Sequence, residues 1–279
     1  MDRYEDQESN PGCLAGISSG FKAIDDMTSG MRAGDLIVLA SQSLEHASTL
    51  ALNIAEHVAL RECHPAAVFS MRMSGRELAR RMLGSLGRVD LHGTRAGAWT
   101  EDERARLAAA YAELQTGGLH VHSGIGLTPT SLRTKVLKLA LALKPTRLGL
   151  LVIDALELIR PSMVNGGEAA LLAGITLRSL KLVAKEFQLA VMVLTQIPCI
   201  VDADDSRQPG LNGHPLAEVI GEVADVVMIL HPAACSDPTQ SCDAGKVTLG
   251  FNKLSDGIAG EVQLRFDRDP LRFKNLPGI

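Results

Sequence analysis

Leu148-Gly149-Leu150-Leu151-Val152-Ile153-Asp154 is an apolar run that ends abruptly in a carboxylate. A strand with one wet face alternates apolar and polar residues, so an unbroken run of this kind reads as a central strand covered on both faces. Similar runs lie on either side of it, at Asp35–Ala40 (DLIVLA), Ala66–Met71 (AAVFSM) and Ala190–Thr195 (AVMVLT), with a shorter one at Leu119–His122. Helical stretches separate them. One spans Ser48–Leu60, and a second opens on Ser74 and Glu77 in capping-box spacing. A third opens on Thr100 and Glu103 and runs to about Gln115, where Ser/Thr and Glu can each satisfy an orphan backbone N–H. A fourth has Thr128 as N-cap and Pro129 at its first position, ending near Leu143, and a fifth covers Glu168–Phe187. After a polar, Gly/Pro-rich stretch over Pro198–Pro215 come three more strand candidates, Asp225–Leu230, Lys246–Phe251 and Glu261–Phe266. The alternation predicts an α/β fold with a mostly parallel central sheet flanked by helices. The closing strands, with little helix between them, predict an antiparallel edge.

Composition narrows the classes. The chain has 279 residues, 46% of them apolar and 22% charged, which is enough to build a sizeable core and excludes a wholly disordered chain. With 28 basic and 32 acidic residues, the balance argues against holding nucleic acid by bulk charge. No apolar run approaches the ~20 residues of a membrane span, so no membrane association is expected. The first ten residues carry no apolar signal segment. The five cysteines (Cys13, Cys63, Cys199, Cys235, Cys242) include no C-x-x-C pair, which fits a reducing cytoplasm. Residues 1–15 read as a flexible leader and 16–279 as one domain.

In open α/β sheets, ligands bind beyond the carboxyl ends of the strands. The first such end is Ala40-Ser-Gln-Ser-Leu-Glu-His-Ala-Ser-Thr49, where a phosphate-binding loop would sit. Such a loop needs glycines to let backbone N–H groups wrap phosphate, a lysine for charge and a hydroxyl for Mg²⁺. Counting G-x-x-x-x-G-K-[ST] onto it places Ser41 and His46 at the glycines, Ala47 at the lysine and Ser48 at the hydroxyl; only the hydroxyl survives. Asp154 stands where a Walker-B carboxylate holds Mg²⁺ through water, and Gln196 ends a third strand in the same crevice. His120 and His122 share a strand face but lack a third ligand nearby, so no metal site is expected. Arg133, Lys135 and Lys138 read as a solvated helix face, and Cys235 and Cys242 as free thiols.

These residues, taken in order, resemble the C-terminal motor domain of the DnaB-type hexameric replicative helicases, a RecA-like P-loop NTPase fold. The resemblance runs from about Gly16 to Asn275. It is carried by Gly16–Asp25 and Gly30–Leu36, Leu86–Asp90, Gly126–Thr130, the Walker-B strand Val152–Leu158, and above all Arg178–Glu186 leading into Val193–Gln196. In the family the cofactors are ATP and Mg²⁺. The resemblance implies family positions at Ser41, Glu45, His46, Ala47, Ser48 and Thr49 in the loop, with catalytic positions at Asp154, Gln196, Arg72, Lys253 and Ser255.

The departures fall on the chemistry. Ala47 and His46 replace the loop's lysine and glycine. Arg72 replaces the catalytic glutamate, and Ser255 stands at the arginine finger, while Ser48, Thr49, Asp154, Gln196 and Lys253 are retained equivalents. The loop after Gln196, basic in the family, reads Val201-Asp-Ala-Asp-Asp205, with Arg207 following. A missing electrostatic group costs about 10²–10³ in rate, so the expectation is a motor-domain paralogue without ATP hydrolysis and with no cofactor. It would act through protein contacts in DNA replication, with a replicative helicase or with its own copies in a ring, and with weak or absent DNA binding. The alternative is an active ATP-dependent helicase or DNA-stimulated ATPase with an unusual phosphate site. A third class, a recombinase or clock-type ATPase, fits Arg178–Gln196 and Gly126–Thr130 less well. The charges also predict that Arg72 reaches Asp154, Glu45 or both.

Overall fold

The computed structural model describes residues 14–91, 99–159, 169–197, 211, 216–232, 245–254 and 260–276. The described strands form one nine-stranded sheet in the order β3-β2-β4-β5-β1-β6-β7-β8-β9. They are β1 Leu36–Ser41, β2 Ala66–Ser70, β3 Leu119–Ser123, β4 Leu150–Asp154, β5 Ala190–Gln196, β6 Val226–Pro232, β7 Lys246–Lys253, β8 Gly260–Asp267 and β9 Arg272–Asn275. The six strands from β3 across to β6 run parallel, and β7, β8 and β9 add on antiparallel. The expected architecture, an α/β sheet with an antiparallel edge, is the observed one.

Burial explains the apolar runs. Every residue of β1, β2 and β4 is buried, because helices cover both faces. Along β1 the side chains alternate sides. Ile37 and Leu39 join Leu50, Ile54 and Val58 in one core, while Leu36, Val38 and Ala40 join Leu177, Leu180 and Val183 in the other.

The described helices are α1 Lys22–Thr28, α2 Leu44–Leu60, α3 Gly75–Gly87, α4 Glu101–Thr116, α5 Pro129–Ala142, α6 Ala169–Phe187 and α7 Ala217–Val223. Thr100 and Thr128 form full capping boxes with Glu103 and Ser131. At α3 only half of the expected box forms. Ser74 Oγ accepts from the Glu77 N–H at 3.2 Å, while the Glu77 carboxylate turns outward to Arg81.

One boundary departs from expectation in a way that matters. α2 begins at Leu44, not Ser48, leaving only Gln42 and Ser43 between it and β1. Ser43 serves as N-cap, its side chain accepting from the His46 N–H, and no glycine from Gln42 to Ala47 breaks the first turn. The stretch that corresponds to a phosphate-binding loop is therefore the opening turn of a helix.

Candidate functional site

The parallel strands all point their carboxyl ends the same way, so the ends of β1, β2, β4 and β5 border one crevice. β2 pairs with β4 so that Ser70 lies opposite Asp154. Asp154 is only 2% exposed, and a carboxylate buried so deeply requires partners. It has three. Its Oδ2 accepts from Ser48 Oγ at 3.1 Å and from Ser70 Oγ at 3.2 Å. Its Oδ1 accepts from Arg72 Nε at 3.4 Å.

Arg72 binds more than the carboxylate. Its Nη2 donates to Ser48 Oγ at 2.6 Å and to the Leu44 carbonyl at 3.5 Å. The guanidinium thus bridges the start of α2 to the end of β4, with 28% of the side chain exposed. Of the two carboxylates expected within its reach, it meets Asp154. Glu45 pairs with Arg81 at 3.5 Å, on the side of α2 that faces α3. Glu45 also sits in the first turn of α2, where the positive end of the helix dipole favours it.

The other loop residues are absorbed into structure. Ala47 is fully buried in the core, and its N–H donates to the Ser43 carbonyl at 3.1 Å. Thr49 Oγ1 bonds back to the Glu45 carbonyl at 2.8 Å. Ser41 Oγ donates to the Leu230 carbonyl at 3.1 Å, tying β1 to β6. His46 tilts against Phe266, ring centroids 4.5 Å apart. Burial holds its imidazole below the ordinary histidine range, with nearby Glu45 opposing and Arg268 assisting. Beside this pair opens a cavity of about 710 Å³ bordered by Lys246, Asp267, Arg268 and Asp269.

Gln196 Nε2 donates to the Gln42 carbonyl at 3.2 Å, and its backbone N–H donates to Glu157 Oε1 at 2.9 Å. Lys253 Nζ donates to the Gly221 carbonyl at 2.8 Å on α7. The crevice therefore gathers Ser48, Asp154, Arg72 and Gln196, while Lys253 is held apart on β7. Ser255, the acidic stretch over Asp202–Asp205, Arg207, the leader over residues 1–13, and Cys13, Cys199, Cys235 and Cys242 lie outside the described residues. On α5, Arg133 lies exposed on the helix face, where its Nε and Nη2 form a bidentate pair with Glu186 at 2.8 and 2.6 Å.

Sequence reasoning missed three residues here. Ser70 and Glu157 serve the crevice only because β2 lies beside β4 and β5 beside the turn at Leu156–Leu158. Glu56 is the third. It is buried on α2, where its Oε2 accepts from Ser85 Oγ at 3.0 Å, Asn53 Nδ2 at 3.4 Å and Arg272 Nη1 at 3.3 Å. Burial pushes its carboxyl up to about 7, with Arg272 and the bonds from Ser85 and Asn53 pulling the other way and Glu113 adding to the rise.

Arg72→Ala tests the bridge. The mutation removes a charged hydrogen bond from a buried carboxylate that keeps two hydroxyl partners. Discounted for the partial exposure of the guanidinium, the expected cost is about 1–2 kcal/mol. It would be read as a lower urea midpoint at unchanged slope. A cost near zero would place the guanidinium in solvent.

Comparison with known proteins identifies the family and the fold. Residues 16–275 match the family described as the DnaB-like helicase C terminal domain. The replicative DNA helicase DnaC of Bacillus subtilis (strain 168) is 28% identical over 275 residues, covering 99% of this chain and 60% of that protein. The replicative DNA helicase DnaB of Geobacillus stearothermophilus is 29% identical over 278 residues, with the same coverage of 99% and 60%. The chain thus spans about 60% of the length of these curated relatives. Among solved structures, an ATPase domain superposes with a TM-score of 0.88 at 23% identity, covering 98% of this chain and 95% of that one. A DnaB-like replicative helicase, solved with its interactions with primase, gives 0.86 at 24% identity, covering 98% and 65%. Both share the RecA-like helicase fold. Among the described residues no helix is long and apolar enough to cross a membrane. By fold and by sequence, the chain belongs to the DnaB-like helicase C-terminal domain family.

Proposed function

We propose that this chain is a motor-domain paralogue that does not hydrolyse ATP and acts in DNA replication through protein contacts, joining a replicative helicase or its own copies in a ring. One observation carries the reading: the Arg72 guanidinium spans Ser48 and Asp154. In P-loop NTPases a hydroxyl and a carboxylate in these places hold Mg²⁺. Magnesium demands near-octahedral oxygen ligands at about 2.0–2.1 Å. Here Ser48 Oγ already accepts from Arg72 and donates to Asp154, and a fixed positive charge lies against both. Phosphate fits no better. The amides of His46 and Ala47 are spent on Ser43, and a buried methyl stands at the lysine position. The residues present therefore do not suit Mg–ATP, and no catalytic step is assigned to them.

The second reading, a working ATPase, draws on the open cavity beside His46 and Phe266 and on the retained Ser48, Asp154 and Gln196. Sedimentation velocity addresses the first reading. The chain, alone and mixed with a DnaB-type replicative helicase, is expected to self-associate or co-sediment without ATP. Monomers in both experiments would remove the protein-contact reading.

DNA gives a separate prediction. The resemblance aligns Asp202, Asp204 and Asp205 with a segment that is basic in the family, and neutralising phosphates supplies most single-strand affinity. Single-stranded DNA is expected to bind weakly and to be lost near physiological salt. Converting the three aspartates to lysine should tighten binding and steepen its salt dependence. Micromolar binding by the unmodified chain at that salt would contradict the expectation.

A further inference from the structure

We infer that Arg72 is a built-in cation, filling the place between Ser48 and Asp154 that a divalent ion would otherwise take, so that the crevice rejects divalent metal outright. The inference rests on reading this crevice as the family's nucleotide site, and it goes further by saying what closes it. Three features argue for substitution of charge over incidental contact. Asp154 is 2% exposed and needs a positive partner, which only Arg72 supplies directly among its described contacts. The same guanidinium takes the lone pair of Ser48 Oγ that a metal would use, at 2.6 Å, the shortest bond in the network. A third donation, to the Leu44 carbonyl, fixes the group against the first turn of α2. A planar guanidinium that bridges a hydroxyl and a carboxylate is permanently charged and needs no exchangeable ligand. Removal of Arg72 should then create a metal site where none operates, because Ser48 Oγ and Asp154 Oδ2 already lie 3.1 Å apart.

Mn²⁺ serves as the probe, since its unpaired electrons broaden amide resonances near a bound ion even when binding is weak. The full chain, labelled with ¹⁵N, is titrated with MnCl₂. In the unmodified protein the amides of Ser48, Ser70 and Asp154 should stay sharp. In Arg72→Ala they should lose half their intensity at a Mn²⁺ concentration at least tenfold lower, and Asp154→Asn added to that variant should reverse the gain. Arg72→Gln, which keeps a polar side chain in place, should gain the site as well and covers the case in which the alanine variant folds poorly. Selective broadening of these amides in the unmodified protein, or no gain in either neutral variant, overturns the inference. ATP turnover separates the two readings: a protein that binds Mn²⁺ at Asp154 but does not hydrolyse ATP refutes the built-in cation alone. One that hydrolyses ATP refutes the proposed function beneath it.

Discussion

Incubated with ATP, Mg²⁺ and single-stranded DNA, the purified chain is expected to release phosphate no faster than buffer. On the proposed reading, the family positions for a lysine and a general base are those of Ala47 and Arg72. Each missing group costs about 10²–10³ in rate, so together the loss is about 10⁴–10⁶. The double variant His46→Gly/Ala47→Lys should remain inactive for two reasons. Arg72 still occupies the base position, and Ala47 is fully buried, so a lysine there must carry its charge into the core or distort α2. Turnover by that variant would mean a general base lies elsewhere in the crevice. Glu157, held at the end of β5 by Thr195 Oγ1 at 2.5 Å and the Gln196 N–H at 2.9 Å, would then be the residue to replace.

The second large effect is on stability and comes from Glu56. Its carboxyl is raised from 4.5 to about 7 in the folded chain because burial disfavours the charged form. Between those values the folded state holds a proton that the unfolded state has released. Stability therefore falls as pH rises: the contribution is complete below about 4.5 and lost as pH climbs through about 7. Integrated from about pH 5 to about pH 8, the loss is about 2–3 kcal/mol. Glu56→Gln should flatten this part of the pH–stability curve and make the variant the more stable of the two at the alkaline end. Urea melts of both proteins across that range check it, and parallel curves would show that Glu56 titrates normally. The consequence is structural as well, since Asn53 Oδ1 accepts the Phe273 N–H and Ser85 accepts from Arg272. One polar cluster thus ties β9 to α2 and α3.

How legible each part was depended on whether its cause was local. Strands such as LIVLAS and LLVID announce themselves because burial on both faces removes nearly every polar position. β9 did not, since RFKN is four residues long with one buried side chain, Phe273, and its partner β8 supplies the rest. α7, at seven residues after a polar stretch, was equally short of pattern. The start of α2 differs from expectation because motif counting makes Ser41–Ala47 a loop, although Ser43 followed by Leu44, Glu45 and Ala47 is a good helix opening. In the crevice, Ser48 and Asp154 were readable from motif position. The Arg72–Asp154 bond followed from charge, since an arginine near an aspartate at a neighbouring strand end has an evident partner; the bond to the neutral Ser48 hydroxyl did not. Ser70 could not be found that way, because its role depends on the register that sets it opposite Asp154. Glu56 and Arg272 lie too far apart in the chain for any local pattern to join them.

The central claim is that the crevice is closed from within by Arg72. Thermal melting with and without millimolar ATP, in the presence and absence of Mg²⁺, tests it most directly. A ligand stabilises by RT ln(1 + [L]/Kd), and about 1 kcal/mol moves the midpoint of a chain this size by about 2–4 °C. A closed crevice predicts superimposable curves under all four conditions; a Mg²⁺-dependent rise of several degrees with ATP would contradict it.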